Sequence, residues 1–140
     1  LIQFILVFLL FAIYGFIPNI AILFTIPLMI PIILLTLGLG LIFSLLNGIM
    51  RDIGNLLSVV ITFLMFLTPI FYSTPDSGIL MNITTINPLY YLIVVPRELI
   101  LMGTLSEFIG YMISVILSIF VFIVCLVIFH LTETRVAERL

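Results

Sequence analysis

Arg97 and Glu98 are adjacent charged residues inside a long, mostly apolar stretch, residues 73–105. Charged groups at membrane depth are costly, and they often serve a function. The guanidinium group of Arg97 could bind a phosphate or an acidic sugar through two parallel hydrogen bonds, or it could hold the carbonyl groups of a short helix. A purely structural charge pair and a position among lipid headgroups are the alternatives.

Aromatic side chains flank a turn-rich segment in the same part of the chain, at Phe71, Tyr72, Tyr90 and Tyr91. Aromatic belts form where a membrane meets water, so a belt is the default interpretation. The alternative is a surface on which sugar rings slide, because aromatic faces pack against the C–H groups of sugars. A second charged pair, Arg51 and Asp52, could anchor a helix end or contact a cytoplasmic partner that moves the helices.

The sequence contains no residue set that is typical of catalysis. There is no Ser/His/Asp set, no Cys/His pair and no phosphate-binding P-loop. Cys125 is a single cysteine and His130 a single histidine, so neither a disulfide nor a metal site is expected, and we expect no cofactor in this chain. The apolar segments also lack the acidic residues of a proton- or sodium-coupled carrier. Energy for transport would have to come from another polypeptide.

The composition requires that these residues be positioned by a membrane-embedded fold. Apolar residues make up 65% of the 140 residues and charged residues 7%, whereas soluble domains carry about 25% charged residues. The first 50 residues contain no charged residue and no histidine. As one helix they would run about 75 Å, which far exceeds a hydrocarbon core of about 30 Å, so the chain must cross and turn back. The absence of lysine argues against a nucleic-acid partner.

Four apolar segments are predicted to be transmembrane helices, at residues 1–16, 28–48, 54–72 and 108–129. Pro18 and Asn19 mark a turn between the first two. Four spans place Arg51 on the same side as Arg135 and Arg139, and this side is cytoplasmic by the positive-inside rule. The stretch 73–105 then lies outside. Its apolar runs are too short to span and are interrupted at Pro96, so they predict a re-entrant helical hairpin that gates a pathway.

Small residues recur at every fourth position in two of the segments. They are Gly40, Ser44 and Gly48 in the second, and Gly110, Ser114 and Ser118 in the fourth. Such stripes let helices approach closely in lipid. Packing within one subunit is the simpler interpretation, and a seam between subunits is the alternative.

Four short motifs follow one another in a fixed order: Arg51-Asp52-Ile53, Pro69-Ile70-Phe71-Tyr72, Asn87-Pro88 and Arg97. In order and spacing they resemble the membrane subunits of ABC-2 type exporters, especially permeases for lipid-linked polysaccharides, O-antigens and teichoic acids. The resemblance covers roughly residue 40 to the C-terminus. The chain departs from the family pattern at Thr68, where serine is common, and at Pro96, where an aromatic residue is common.

The resemblance implies that residues 1–140 are one partial ABC-2 transmembrane domain, all-α and multi-pass, without the first two of six spans. It implies a homodimer in the cytoplasmic (inner) membrane of a prokaryote, paired with an ATP-binding cassette ATPase subunit that holds ATP and Mg. The substrate would be a lipid-linked glycan. The outer gate or translocation path would comprise Phe71, Tyr72, Tyr90, Tyr91, Arg97 and Glu98, and Arg51 and Asp52 would lie near the ATPase.

Two other functions fit the sequence. One is an exporter of the same superfamily with a drug, peptide or haem-related cargo. The other is a membrane scaffold that anchors partners without transport. A scaffold would not need the apolar re-entrant stretch, so deleting that stretch would leave partner binding intact, whereas it would abolish or uncouple export.

Overall fold

The computed structural model describes residues 2–15, 22–50, 52–68 and 84–137, and the regular elements in these ranges are all α-helices. The predicted all-α class is therefore confirmed. A short helical turn at residues 84–86 precedes the fifth helix. In chain order the helices are α1 (Ile2–Ile13), α2 (Ile22–Leu28), α3 (Ile30–Ile49), α4 (Ile53–Leu67), α5 (Pro88–Met102) and α6 (Phe108–Ala137).

Two helical stretches of the described part are long and apolar enough to cross a membrane. They are Leu23–Ile49, with 27 residues, and Phe108–Glu133, with 26 residues. At 1.5 Å per residue each would measure about 40 Å, which exceeds a hydrocarbon core of about 30 Å. α4 has 15 residues, and the remainder of its predicted span, residues 69–72, lies outside the described residues. The prediction of four spans therefore stays a prediction.

The helical part of the second segment begins six residues before the predicted start, at Ile22, because its prolines do not stop it. Pro31 lies in the first turn of α3, where a backbone N–H would have no partner in any case. Backbone bonds also connect α2 with α3: the Met29 N–H donates to the Thr25 carbonyl at 3.0 Å, and the Ile33 N–H donates to the Met29 carbonyl at 3.3 Å. The two helices therefore form one nearly continuous stretch.

The fourth segment extends eight residues past its predicted end, to Ala137. His130 consequently lies inside α6 rather than at its end, and its Nδ1 is 3.3 Å from a carboxylate oxygen of Glu133, one turn later. Polar residues continue the helix because the i,i+3 spacing lets such side chains pair.

α3 and α6 pack side by side and run parallel. The Tyr111 hydroxyl donates to the Leu28 carbonyl at 2.8 Å, and farther along the pair Gly38 faces the backbone of Phe122. A Cβ at Gly38 would lie 2.9 Å from the Phe122 Cα, so only glycine permits this approach. Close backbone packing of this kind holds helices together in lipid, where burial of apolar surface gives little driving force.

One of the two small-residue stripes contributes to this packing. Ser114 and Ser118 are buried, and their hydroxyls donate to the carbonyls of Gly110 and Ser114 one turn earlier. For this stripe, packing within the chain is confirmed. In α3, by contrast, Gly40 and Ser44 are exposed, and the close contact with α6 is made by Gly38 instead.

α5 folds back against the N-terminal halves of α3 and α6. A turn at residues 103–107 joins α5 to α6, and both Gly103 (φ 70°) and Glu107 (φ 55°) adopt the left-handed conformation there. Leu92 and Val95 of α5 form a buried cluster with Leu35 and Tyr111. α5 is therefore anchored to both of the candidate spans.

α4 is more exposed than α3 and α5, which both contain buried residues. None of its residues, all of which the structure describes, is buried, although it contacts α3. Phe63 and Phe66 each expose 68% of their surface. An apolar helix with this exposure is suited to lipid or to another protein surface, and not to water.

Candidate functional site at α5

The start of α5 is defined by Asn87 and Pro88, as the sequence predicts. The Asn87 side-chain oxygen accepts a hydrogen bond from the Leu89 N–H at 3.0 Å, which caps the helix, and Pro88 occupies the first turn. The Asn87 amide also donates to the Thr68 hydroxyl at 3.1 Å. Since Thr68 is the C-cap of α4 and is buried, this bond ties the end of α4 to the start of α5.

The apolar run that Pro96, Arg97 and Glu98 interrupt in the sequence forms one helix in the structure, since α5 continues through Pro96 to Met102. Proline inside a helix removes one backbone hydrogen bond and crowds the preceding turn. Here Pro96 is itself buried, and Leu92, Val95 and Leu99 on either side of it are also buried. Tertiary packing of this face holds the helix in spite of the proline. The first half of the predicted hairpin falls in residues 73–83, outside the described residues.

Tyr91 makes a close contact between α5 and the start of α6. Its hydroxyl donates to the Thr85 carbonyl at 2.9 Å, and its ring covers Gly110 so closely that any Cβ there would overlap it. Tyr90 is buried, and its ring meets the Tyr91 ring edge to face with centroids 4.9 Å apart. Both predicted site residues are thus packed within the chain.

Burial raises the pKa of Tyr90 above its ordinary value, and the carboxylates of Glu107 and Glu98 raise it further. The pKa of Tyr91 is raised by burial and by Glu107. Both phenols therefore remain neutral donors at physiological pH, since even an unperturbed tyrosine ionises only near pH 10.

Arg97 and Glu98 point to different surroundings although they are neighbours in sequence. Glu98 accepts a hydrogen bond from the hydroxyl of Ser106, which lies in the turn before α6. Arg97, half-buried like Glu98, lines a cavity between α2 and α5. Glu98 therefore fastens the α5–α6 turn, while Arg97 brings a positive charge to the other side of α5.

Of the remaining predicted site residues, the structure describes only Asp52. Phe71, Tyr72 and Arg51 lie outside the described residues. Asp52 is exposed and immediately precedes α4, and its side chain does not cap that helix. The roles assigned to these residues, and the gate as a whole, stay predictions.

Sequence reasoning missed two features of this region. Thr25 of α2 is buried against α5, and Tyr111 joins α6 to α2. A threonine in an apolar run is uninformative by itself, because its hydroxyl usually bonds to its own helix. Tyr111 could have been recognised from its position, since it directly follows Gly110 at the start of a small-residue stripe.

Comparison with known proteins agrees with the fold and the motifs. The family model described as ABC-2 type transporter matches residues 1–101. An O-antigen export system permease protein RfbA of Klebsiella pneumoniae is 36% identical over 135 residues, and a second protein of the same name and organism is 35% identical over 133 residues. Each alignment covers 91% of this chain and 50% of the relative, so the chain spans about half the length of these curated relatives.

No solved structure matches the chain. The family match covers well over half of the 140 residues, and it agrees with the resemblance carried by the four motifs. Together with the two apolar helices that are long enough to span, it indicates a membrane transport protein. The chain belongs to the ABC-2 type transporter family.

Proposed function

We propose that this chain is part of the permease subunit of an ATP-driven exporter that moves a lipid-linked polysaccharide across the cytoplasmic membrane. The subunit works as a homodimer with an ATP-binding cassette subunit, which binds ATP and Mg and supplies the energy. The observation that carries the proposal is the similarity to two O-antigen export permeases across 91% of the chain.

The packing of α5 supports a role in coupling. α5 contacts α2, α3 and α6, and its buried face includes Leu92, Val95 and Leu99. A shift of α3 against α6 would therefore move α5 as well. By the distribution of arginines α5 lies on the outer side, where such a movement would open or close the exit for the glycan.

The first experiment is purification of the full-length protein in mild detergent, with its stoichiometric partners identified by mass spectrometry. We expect an ATPase with a P-loop in equal amount. Reproducible absence of such a partner from an intact preparation would contradict the exporter proposal and favour the scaffold.

Export of the lipid-linked glycan by cells then tests the role of α5. Tyr91→Phe removes only the hydrogen bond to the Thr85 carbonyl, and Arg97→Ala removes the charge. We expect both to lower export with normal amounts of protein in the membrane. Tyr14→Phe is the matched control, because Tyr14 is 80% exposed at the end of α1. Unchanged export in both α5 variants would contradict the proposed role of α5 as a gate.

A further inference from the structure

A cavity of about 300 Å³ lies between α2 and α5, outside the tyrosine contacts described above. Its walls are mostly apolar and include Ile32, Leu92, Ile93 and Ile100. Met29 and Leu101 also line it, and each exposes 50% of its surface, so the cavity is open to the surroundings at these two residues. Ligand sites measure about 300–1,000 Å³, which places this one at the small end.

Thr25 brings an unused hydrogen-bonding group to this cavity. Its side chain is 5% exposed and lines the wall, and among the described residues its Oγ1 has no hydrogen-bond partner. A buried hydroxyl without a partner costs roughly 1–3 kcal/mol. Nearby threonines avoid this cost: Thr36 of α3 donates to the carbonyls of Ile32 and Ile33 at 2.9 Å. The Thr25 hydroxyl is thus an unpartnered buried donor in a residue that lines the cavity.

Arg97 supplies the charge. Among the described residues that line the cavity it is the only ionisable one. It also has an interaction within the chain, but a guanidinium group carries five N–H donors and can hold an anion beside that contact. A cationic residue and an unpartnered buried hydroxyl in the wall of an apolar cleft match a molecule with an anionic head and an apolar body.

We propose that this cavity binds an anionic phospholipid of the surrounding bilayer, with its phosphate at Arg97 and Thr25 and the upper part of one acyl chain along Ile32 and Ile93. The opening between Met29 and Leu101 admits the lipid sideways. The size suits a phosphate, its glycerol and a short length of chain, and excludes a sugar polymer. This site shares Arg97 with the proposed gate, but its ligand is a bilayer phospholipid and not the exported glycan, so it goes beyond the proposed function.

The test measures lipid binding to the full-length protein, purified with the subunits that co-purify and then stripped of lipid. Native mass spectrometry counts bound molecules during titration with phosphatidylglycerol, with phosphatidylcholine of the same chains, and with inorganic phosphate. We expect one phosphatidylglycerol per copy that binds at least about tenfold more tightly than phosphatidylcholine, because phosphatidylglycerol carries a net negative charge, whereas the choline ammonium of phosphatidylcholine offsets the attraction of its phosphate to Arg97.

Three variants and one control connect that binding to this cavity. Thr25→Val removes only the hydroxyl, Arg97→Gln removes the charge, and Leu101→Trp narrows the opening; each should weaken phosphatidylglycerol about tenfold. Thr36→Val, whose hydroxyl is already satisfied and does not line the cavity, should leave binding unchanged.

Two results would overturn the proposal. One is equal binding of the two phospholipids with no effect of Thr25→Val. The other is full displacement of phosphatidylglycerol by inorganic phosphate at similar concentration, which would make the site one for a free anion. Thr25→Val and Leu101→Trp keep the test decisive if Arg97→Gln does not fold. Neither result depends on whether an ATPase co-purifies.

Discussion

At the scale of single residues, Gly110 positions Tyr91, a predicted site residue, because a glycine has no side chain to occupy the space of the Tyr91 ring. The Tyr91 ring occupies the space where any other residue at 110 would place its Cβ. The ring can therefore lie flat on α6 while its hydroxyl reaches the Thr85 carbonyl. Both the orientation of Tyr91 and its hydrogen bond depend on this glycine.

Gly110→Ala should lower thermal stability in detergent, by about 1–3 kcal/mol, because the methyl group forces the Tyr91 ring out of its position. In a Tyr91→Ala background the same substitution should cost almost nothing, since the ring is gone. Melting of the four proteins gives the coupling between the two sites. Additive effects, with no coupling, would contradict the contact.

At this scale, the role of a residue is predictable from the sequence when it depends on neighbours along the chain, and not when it depends on a distant segment. Asn87-Pro88 was recognisable because capping and first-turn proline are local properties. Thr25 was not, since its meaning depends on α5, more than 60 residues later in the chain. Gly110 belonged to a stripe that predicts packing, but the sequence does not say that its partner is Tyr91.

At the scale of elements, the parallel pair of α3 and α6 is the frame on which α5 rests. The two helices approach closely where Gly38 faces the Phe122 backbone, and a backbone cannot relieve a clash by changing rotamer as a side chain can. A Cβ at Gly40, two residues later on a different face, would meet no described atom within 4 Å. The two glycines therefore offer a matched comparison.

Gly38→Ala should destabilise the protein by about 1–3 kcal/mol, because α3 and α6 must separate. Gly40→Ala should be neutral or slightly stabilising, since alanine favours helix where nothing clashes. Thermal unfolding followed by size-exclusion chromatography in detergent measures both. Equal effects of the two substitutions would refute the close approach at Gly38.

The sequence predicted correctly that the described elements are helices, but it predicted their first and last residues less well. Long apolar runs identified the helices, because only a helix satisfies its own backbone in lipid. Helices continue through prolines at two places: at Pro96, burial of the flanking face outweighs a lost hydrogen bond, and Pro31 is tolerated because it lies in the first turn of α3.

At the scale of the whole molecule, the parallel packing of α3 and α6 determines which ends share a side of the membrane. Met50 directly follows α3, Glu133 lies near the end of α6, and Leu105 lies in the turn before α6. Met50 and Leu105 are exposed, and Glu133 is partly exposed. If both helices span, Met50 and Glu133 face one compartment and Leu105 faces the other.

Single cysteines at these three positions test the arrangement. In a full-length protein without other cysteines, Leu105→Cys should react with an impermeant maleimide on intact cells. Met50→Cys and Glu133→Cys should react only after permeabilisation, by the positive-inside rule. Labelling of Leu105→Cys and Glu133→Cys from the same side would exclude a spanning α6.

The hydrogen bond between Tyr111 and the Leu28 carbonyl joins residues 83 positions apart. During synthesis, α2 and α3 leave the ribosome and enter the bilayer long before Tyr111 exists. Until α6 is made, the Gly38 surface has no native partner and must be shielded by lipid or by the insertion machinery. Maturation of this part of the protein therefore requires α6, and a chain stopped before α6 would present an incomplete surface to the quality-control proteases of the membrane.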